Sequence, residues 1–119
     1  MTDSAEARRS RRYSCRGPIQ FRIHNWQITG KLINLCLEGC LIRPNTELSL
    51  AVGDQFDLRF EVNHLTFRAQ CVVRWIAQDQ RLGVEILMIS ERGRTQLIDL
   101  LEELAATPLL SSSDTSASI

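Results

Sequence analysis

Residues 55–75 read QFDLRFEVNHLTFRAQCVVRW, two runs of alternating apolar and polar residues on either side of Asn63 and His64. Alternation with a period of two is typical of a strand with one buried and one solvent-facing side. The two-residue link has turn chemistry at Asn63, so the stretch predicts a β-hairpin. The side chains predicted to face the core are Phe56, Leu58, Phe60, Val62, Leu65, Phe67, Ala69, Cys71, Val73 and Trp75.

Shorter strand patterns lie on both sides of this hairpin. We predict further strands across residues 13–23, 26–35, 40–43 and 82–86. Turn chemistry separates them at Asn25, at Pro44 and at Val52-Gly53-Asp54. About six short strands with no helical segment between them predict a mainly all-β fold, a small antiparallel barrel across about residues 13–88.

The periodicity changes after Ser90. Four leucines recur at the spacing i, i+3, i+4 and i+7, which places them on one face of a helix across about residues 90–104, with Ser90 as its N-cap. This apolar stripe is expected to cover an open end of the barrel, although it could equally serve a homodimer. The four leucines are Leu97, Leu100, Leu101 and Leu104.

Length and composition indicate one globular domain. The chain has 119 residues, 44% of them hydrophobic and 24% charged. No run approaches the roughly 20 apolar residues that span a bilayer, and residues 1–7 include acids and no hydrophobic stretch, so we expect a flexible N-terminus and a cytoplasmic protein. Residues 105–119 are serine-rich and are predicted to be a disordered tail.

The four cysteines do not form a metal-binding pattern. They are separated by 21, 4 and 31 positions, without a C-x-x-C pair, and only two histidines accompany them. A four-ligand zinc site normally has close ligand pairs, so no metal site is expected. The cysteines are interpreted as reduced thiols in a reducing compartment.

Positive charge is concentrated near the N-terminus. Seven basic residues and no acidic residue lie between residues 8 and 31, and residues 8–12 read RRSRR. Guanidinium groups make bidentate contacts with phosphate, so this arm, residues 8–16, indicates a polyanionic partner, although a solvated tail has the same composition. Only Tyr13 lies near the arm as a stacking platform, so nucleic acid is not the expected partner.

A second polar segment, residues 34–39, reads NLCLEG at the end of one predicted strand and the following turn. The Asn34 carboxamide could face a base edge or cap the turn, and Cys36 would point to the same side of an extended chain. Gly39 permits a positive φ or a close approach of the backbone to a ligand. Taken alone, the segment also fits a tight polar turn between strands.

Together the two segments resemble the PilZ domain family, whose hallmark is R-x-x-x-R followed some twenty to thirty residues later by [D/N]-x-S-x-x-G. Residues 8–12 match the first part, and Asn34, Cys36 and Gly39 stand at the fixed positions of the second. Residues 72–75 and 82–86 look like the last hairpin of the family. The resemblance implies a six-stranded antiparallel barrel over residues 8–104 with a C-terminal helix, and binding of cyclic di-GMP.

By position, the resemblance gives Arg8 and Arg12 contacts to phosphate and guanine, with Arg9 as an auxiliary contact. Arg12 and Arg16 form a second R-x-x-x-R, which stays open as an alternative register. A thiol is a weaker hydrogen-bonding group than the family's serine hydroxyl, so affinity should be reduced. The candidate ligand residues are Arg8, Arg9, Arg12, Asn34, Cys36 and Gly39.

No catalytic set is visible in the sequence, so we do not expect an enzyme. We expect a receptor or adaptor that binds cyclic di-GMP, with an intercalated dimer as one form of the ligand, and without a further cofactor. The receptor would pass the signal to an effector protein that controls motility, biofilm formation or exopolysaccharide synthesis. The alternative is a PilZ-fold interaction adaptor that has lost nucleotide binding.

Overall fold

A closed barrel of six antiparallel strands, capped by one helix, makes up the computed structural model, which describes residues 13–106. The order around the barrel is β1-β2-β3-β6-β5-β4, and β4 pairs back onto β1. The predicted six-stranded antiparallel barrel is therefore confirmed. The elements are β1 Tyr13–Ile23, β2 Trp26–Leu35, β3 Gly39–Pro44, β4 Gln55–Val62, β5 Leu65–Ile76, β6 Leu82–Ile89 and α1 Glu91–Ala106.

Two-residue turns connect β1 to β2 and β4 to β5. Both central residues of each turn have a positive φ, with 51° and 68° at His24 and Asn25 and 50° and 69° at Asn63 and His64. Such turns match the right-handed twist of the strands that they join. The predicted hairpin across residues 55–75 is confirmed, with Val62 paired with Leu65 beside the turn.

The alternating apolar residues fill the barrel. Phe21 stacks on Phe56 with ring centroids 4.3 Å apart, and Phe60 stacks on Phe67 at 5.1 Å. Leu58, Ala69, Cys71 and Val73 are buried in the same core. Period-two alternation thus places one face of each strand in a common core.

The helix α1 covers the barrel through its leucine stripe. The Ser90 hydroxyl accepts a hydrogen bond from the Gly93 N–H at 3.0 Å, which confirms the predicted N-cap. Leu97 and Leu100 are buried in the core, and the helix contacts β1 and β5. The helix continues to Ala106, two residues beyond its predicted end. The predicted flexible N-terminus and the tail beyond Ala106 lie outside the described residues.

Trp75 was predicted to face the core, and this prediction is wrong. Val73 pairs with Val84, but Trp75 already pairs with Gly83, so Arg74 is an extra residue in β5. An inserted residue of this kind is a β-bulge and reverses the inside–outside alternation beyond it. Trp75 consequently lies on the outer face of the barrel and is 40% exposed.

The described residues hold neither a membrane-spanning helix nor a metal-binding cluster. Within residues 13–106 no helix is both long and apolar enough to cross a bilayer. The same residues contain no group of three or more His, Cys, Asp or Glu side chains arranged to hold a metal ion. All four thiols are free, and burial raises the pKa of Cys15 to about 11 and of Cys71 to about 12.

Candidate ligand-binding cleft

A cleft of about 410 Å³ lies on the outer face of the barrel, across β2, β3, β6 and β5. Three of the six candidate ligand residues, Asn34, Cys36 and Gly39, line it together. The other three, the candidate arginines of the arm, lie outside the described residues. The full lining is Asn34, Cys36, Glu38, Gly39, Cys40, Leu41, Arg74, Trp75, Gly83, Val84 and Glu85.

Strand pairing aligns four outward-facing residues across the cleft, and we call this line of residues the tryptophan row. It consists of Asn34, Leu41, Gly83 and Trp75. Asn34 pairs with Leu41, Leu41 with Gly83, and Gly83 with Trp75. Residues directly opposite one another share a face of the sheet. With strands about 4.8 Å apart, the row spans about 14 Å from end to end.

Both ends of the tryptophan row face outward because of β-bulges. The bulge at Arg74 turns Trp75 outward, as described above. On β2, Leu32 pairs with Ile42 but Asn34 pairs with Leu41, so Ile33 is an extra residue there. Bulges re-aim side chains in this way and are common beside functional sites.

A second row, which we call the glutamate row, runs beside the first and consists of Gly39, Glu85 and Val72. Glu85 pairs with Gly39 on one side and with Val72 on the other. Glu85 follows Gly83 by two positions along β6, so the two rows are about 6.6 Å apart. The cleft therefore combines an asparagine, an indole and a carboxylate on one face of the sheet.

The indole of Trp75 lies directly over Gly83. A Cβ atom built at Gly83 would be 2.2 Å from Trp75 Nε1 and 2.3 Å from Cε2, so only glycine leaves room for the ring. Trp75 is 40% exposed and belongs to the lining of the cleft. An exposed aromatic ring of this kind is a stacking platform for a nucleobase.

Gly39 is required by the packing of β3 against β6. A Cβ atom at this position would be 2.2 Å from the carbonyl oxygen of Val84 and 3.1 Å from the Cα atom of Glu85. Gly39 is not among the residues with a positive φ. The structure shows a close approach between the backbones of β3 and β6 at Gly39, and an approach to a ligand at this glycine stays a prediction.

The loop between β2 and β3 forms a fixed rim of the cleft. The Cys36 N–H donates to the Gly39 carbonyl oxygen at 2.9 Å, and the Ile86 N–H donates to the Glu38 carbonyl oxygen at 2.8 Å. Cys36 is 9% exposed, and neither its thiol nor the Asn34 carboxamide hydrogen-bonds to another residue within 13–106. Both groups are thus available to a ligand. Burial holds the pKa of the neighbouring Cys40 thiol well above its usual value, so this thiol stays protonated.

Charges in the lining do not favour an anion by themselves. The lining contains two carboxylates, those of Glu38 and Glu85, and one guanidinium, that of Arg74. Arg74 Nε donates to Glu85 Oε1 at 2.5 Å, and both side chains are about half exposed. A ligand with two phosphates would therefore need cations from another part of the chain.

The N-terminal arm joins the barrel at the edge of this cleft. Tyr13 pairs with Leu35, and Ser14 pairs with Asn34, at the start of β1. Arg12 precedes Tyr13 directly in the sequence. Arg16, from the alternative register, is exposed in the irregular part of β1 and does not line the cleft.

Sequence reasoning missed the residues that β5 and β6 contribute to the cleft, among them Arg74, Trp75, Gly83 and Glu85. The sequence of residues 72–75 and 82–86 predicts strands of the fold and does not by itself indicate a site. The alternation of β5 gives no sign of the inserted residue, so Trp75 was assigned to the core. The pair Arg74-Trp75 facing Gly83 could have been noticed as a large ring opposite a residue without a side chain.

Solved structures with a similar fold are PilZ proteins and a motility inhibitor. The "PilZ domain with c-di-GMP of YcgR from Escherichia coli" has a TM-score of 0.71 at 20% identity and covers 88% of this chain and 96% of that one. The structure of YcgR in complex with c-di-GMP, also from Escherichia coli, has a TM-score of 0.75 at 18% identity, covering 90% of this chain and 50% of that one. The Bacillus subtilis inhibitor of motility, MotI/DgrA, has a TM-score of 0.71 at 16% identity, with 82% and 51% covered.

At these identities the likeness shows the fold alone, and the chain spans about half the length of the longer YcgR chain and of MotI/DgrA. None of the curated proteins matches the sequence. The family model for the PilZ domain matches residues 6–103, which include the arginine arm, the barrel and most of α1. This chain belongs to the PilZ domain family.

Proposed function

We propose that this protein is a receptor for cyclic di-GMP, which it binds in the cleft across β2, β3, β6 and β5. The observation that carries the proposal is the meeting of Asn34, Cys36 and Gly39 with the exposed indole of Trp75 in one cleft. The arginine arm joins β1 at the edge of that cleft, where Ser14 pairs with Asn34. Two solved structures of similar fold, both of YcgR, contain c-di-GMP.

The cleft and the arm have complementary tasks in this proposal. Cyclic di-GMP carries two phosphates and two guanines. One guanine stacks on Trp75, and the Asn34 carboxamide hydrogen-bonds to a base edge at the other end of the tryptophan row. Arg8 and Arg12 pair with the phosphates and with guanine, and Arg9 adds an auxiliary contact.

The arm supplies the positive charge that the cleft lacks. Five residues of chain reach at most about 18 Å, which is longer than the tryptophan row, so Arg8 can reach across the cleft from Tyr13. Because the lining has two carboxylates and one guanidinium, phosphate binding depends on these arginines. Affinity should accordingly fall as the salt concentration rises.

Cys36 weakens the contact that a serine hydroxyl would make at the same position. A neutral hydrogen bond contributes about 1 kcal/mol, or roughly five-fold in affinity. We therefore expect Cys36→Ser to tighten binding of cyclic di-GMP by about that factor. The affinity lost with Arg12→Ala should be much larger, because Arg12 makes charge-assisted contacts.

Isothermal titration with cyclic di-GMP tests the proposal on the full chain. Saturable binding that Arg12→Ala removes and Cys36→Ser strengthens is the expected result. Arg22→Ala is the matched control, because Arg22 is an exposed arginine of β1 outside the cleft lining. Binding that is absent in the wild type and in Cys36→Ser, or that Arg12→Ala leaves unchanged, would contradict the proposal.

The output of the receptor is contact with an effector protein and involves no catalysis. Effectors that control motility, biofilm formation or exopolysaccharide synthesis fit the proposal, and a structure of similar fold is described as an inhibitor of motility. The second candidate is an adaptor of the same fold without nucleotide binding, which is favoured by the thiol at Cys36. Binding that appears only in Cys36→Ser would identify this adaptor.

A further inference from the structure

Glu85 is the carboxylate of the cleft lining that forms an ion pair with Arg74. It stands at the centre of the glutamate row, between Gly39, which has no side chain, and the apolar Val72. Arg74 Nε binds one oxygen of the carboxylate, Oε1, at 2.5 Å, and no other residue within 13–106 is bonded to the carboxylate. A half-exposed carboxylate of the cleft lining is thereby paired through one oxygen, and its second oxygen has no bonded partner within residues 13–106.

We propose that Glu85 selects guanine, by accepting hydrogen bonds from the Watson–Crick edge of the base that stacks on Trp75, and that Arg74 is the positioning residue for its carboxylate. The inference rests on the proposed function and names a specificity residue of the same cleft. Guanine presents two donors on this edge, N1–H and the exocyclic N2 amine. An ionised carboxylate offers only acceptors, so it complements guanine, whereas adenine presents its N1 as an acceptor and is repelled.

The strand register places the Glu85 carboxylate beside the position of a base that stacks on Trp75. Trp75 covers Gly83, and Glu85 is the next outward-facing residue along β6, about 6.6 Å from Gly83. Asn34 is two strand spacings, about 9.6 Å, from Gly83 in the perpendicular direction. Asn34 and Glu85 therefore address different edges of the ligand, and selection by Glu85 is separable from the contact of Asn34.

The ion pair with Arg74 also makes the carboxylate compatible with a dianionic ligand. The guanidinium neutralises the charge of Glu85, so the pair as a whole does not repel the phosphates. Arg74 is the inserted residue of the β5 bulge, adjacent in sequence to Trp75. One bulge thus places both the stacking ring and the group that orients the carboxylate.

Affinities for three cyclic dinucleotides test the inference: cyclic di-GMP, its hypoxanthine analogue, which lacks the exocyclic amines, and its adenine analogue. The wild type should prefer guanine to hypoxanthine by roughly ten-fold, as expected for loss of one hydrogen bond to a charged acceptor. Glu85→Gln should bring this ratio to within about two-fold of unity by weakening the guanine ligand and should improve binding of the adenine ligand. Arg74→Gln should lower the guanine-to-hypoxanthine affinity ratio to a value between those of the wild type and of Glu85→Gln.

Glu85→Asp and Asp79→Asn complete the design. Glu85→Asp keeps the negative charge but withdraws the carboxylate by one methylene, so it should also lose the preference for guanine. Asp79→Asn removes a carboxylate from another exposed ion pair, with Arg43 and Arg81, outside the cleft lining, and should leave the ratio unchanged. Thermal melting of each variant verifies that the barrel is folded.

Two results would overturn the inference while leaving the proposed function intact. The first is wild-type binding of cyclic di-GMP with the same guanine-to-hypoxanthine ratio in Glu85→Gln and Glu85→Asp. The second is an equal gain for all three ligands in Glu85→Gln, which would make Glu85 only a repulsive charge. Absence of cyclic di-GMP binding by the wild type would overturn both proposals.

Discussion

The position of the Trp75 ring depends on Gly83, which faces it across the last hairpin of the barrel. The ring is placed on the outer face by the bulge of β5, and it can lie close to β6 only because Gly83 has no Cβ atom. The second tryptophan, Trp26, is 71% exposed next to the β1–β2 turn and does not line the cleft. The two tryptophans thus provide a matched pair of exposed rings, one in the cleft and one outside it.

We predict that Gly83→Ala weakens binding of cyclic di-GMP almost as much as Trp75→Ala. The added methyl group would displace the indole, and loss of stacking on one base costs about 1–3 kcal/mol. Isothermal titration measures the loss, and fluorescence in a Trp26→Phe background reports the displacement of Trp75. Trp26→Ala should bind like the wild type. Equal affinity of Gly83→Ala and the wild type would contradict the stacking role of Trp75.

The loop from Cys36 to Gly39 is joined to the strand β6 by backbone packing and a hydrogen bond. Gly39 packs against the backbone of Val84, and the Ile86 N–H donates to the Glu38 carbonyl oxygen. The second half of the family motif therefore contains a residue that the barrel needs even without ligand. Loss of ligand binding on mutation of Gly39 would not by itself identify a ligand contact.

We predict that Gly39→Ala destabilises the protein in the absence of ligand. The new Cβ atom would meet the Val84 carbonyl oxygen at 2.2 Å, so β3 and β6 must separate. Crowding in a packed region typically costs about 1–3 kcal/mol of the free energy of unfolding. Urea unfolding of the ligand-free variant measures this cost. A midpoint equal to that of the wild type would show that Gly39 serves the ligand alone.

The strands were predictable where alternation is uninterrupted. β4 and the first part of β5, as far as Cys71, follow a period of two, because one face is buried and the other is more exposed. The end of β6 was missed, because Leu87 and Met88 are apolar but exposed there and break the pattern. Burial of one face produces an alternation of apolar and polar residues in the sequence, whereas an exposed apolar residue on the outer face obscures that alternation.

The candidate site was predictable only in part. The resemblance gave Asn34, Cys36 and Gly39, which lie together in the cleft. Trp75 and Glu85 depend on the register between β5 and β6, and a bulge changes that register without a signal in the alternation. The roles of Arg8, Arg9 and Arg12 stay predictions, because these residues lie outside the described part of the chain.

In the molecule as a whole, positive charge and cleft are supplied by different parts of the chain. Residues 13–106 contain ten basic and eleven acidic residues, so the barrel with its helix carries almost no net charge. Residues 8–12 alone contribute four arginines. Attraction for phosphates is thus expected to come from the arm, while the cleft provides the contacts that distinguish one base from another.

The pairing of Ser14 with Asn34 has a consequence for affinity. Arginines tethered beside the cleft act on the ligand at an effective concentration, which is in the millimolar range for a short flexible tether. We predict that four glycine and serine residues inserted between Arg12 and Tyr13 weaken binding of cyclic di-GMP by about three-fold, because doubling a tether costs about 0.6 kcal/mol. Isothermal titration measures the change, and the same insertion after Ala106 is the control.

An unchanged affinity after the insertion would show that the arm does not take part in binding. A loss as large as that of Arg12→Ala would instead mean that the arm binds in a fixed geometry, with no freedom at its junction with β1. With the predicted small loss, the junction behaves as an anchor point, and its distance from the cleft tunes the local concentration of guanidinium groups. Sensitivity to the nucleotide could then be adjusted through the length of the arm, with every contact in the cleft left as it is.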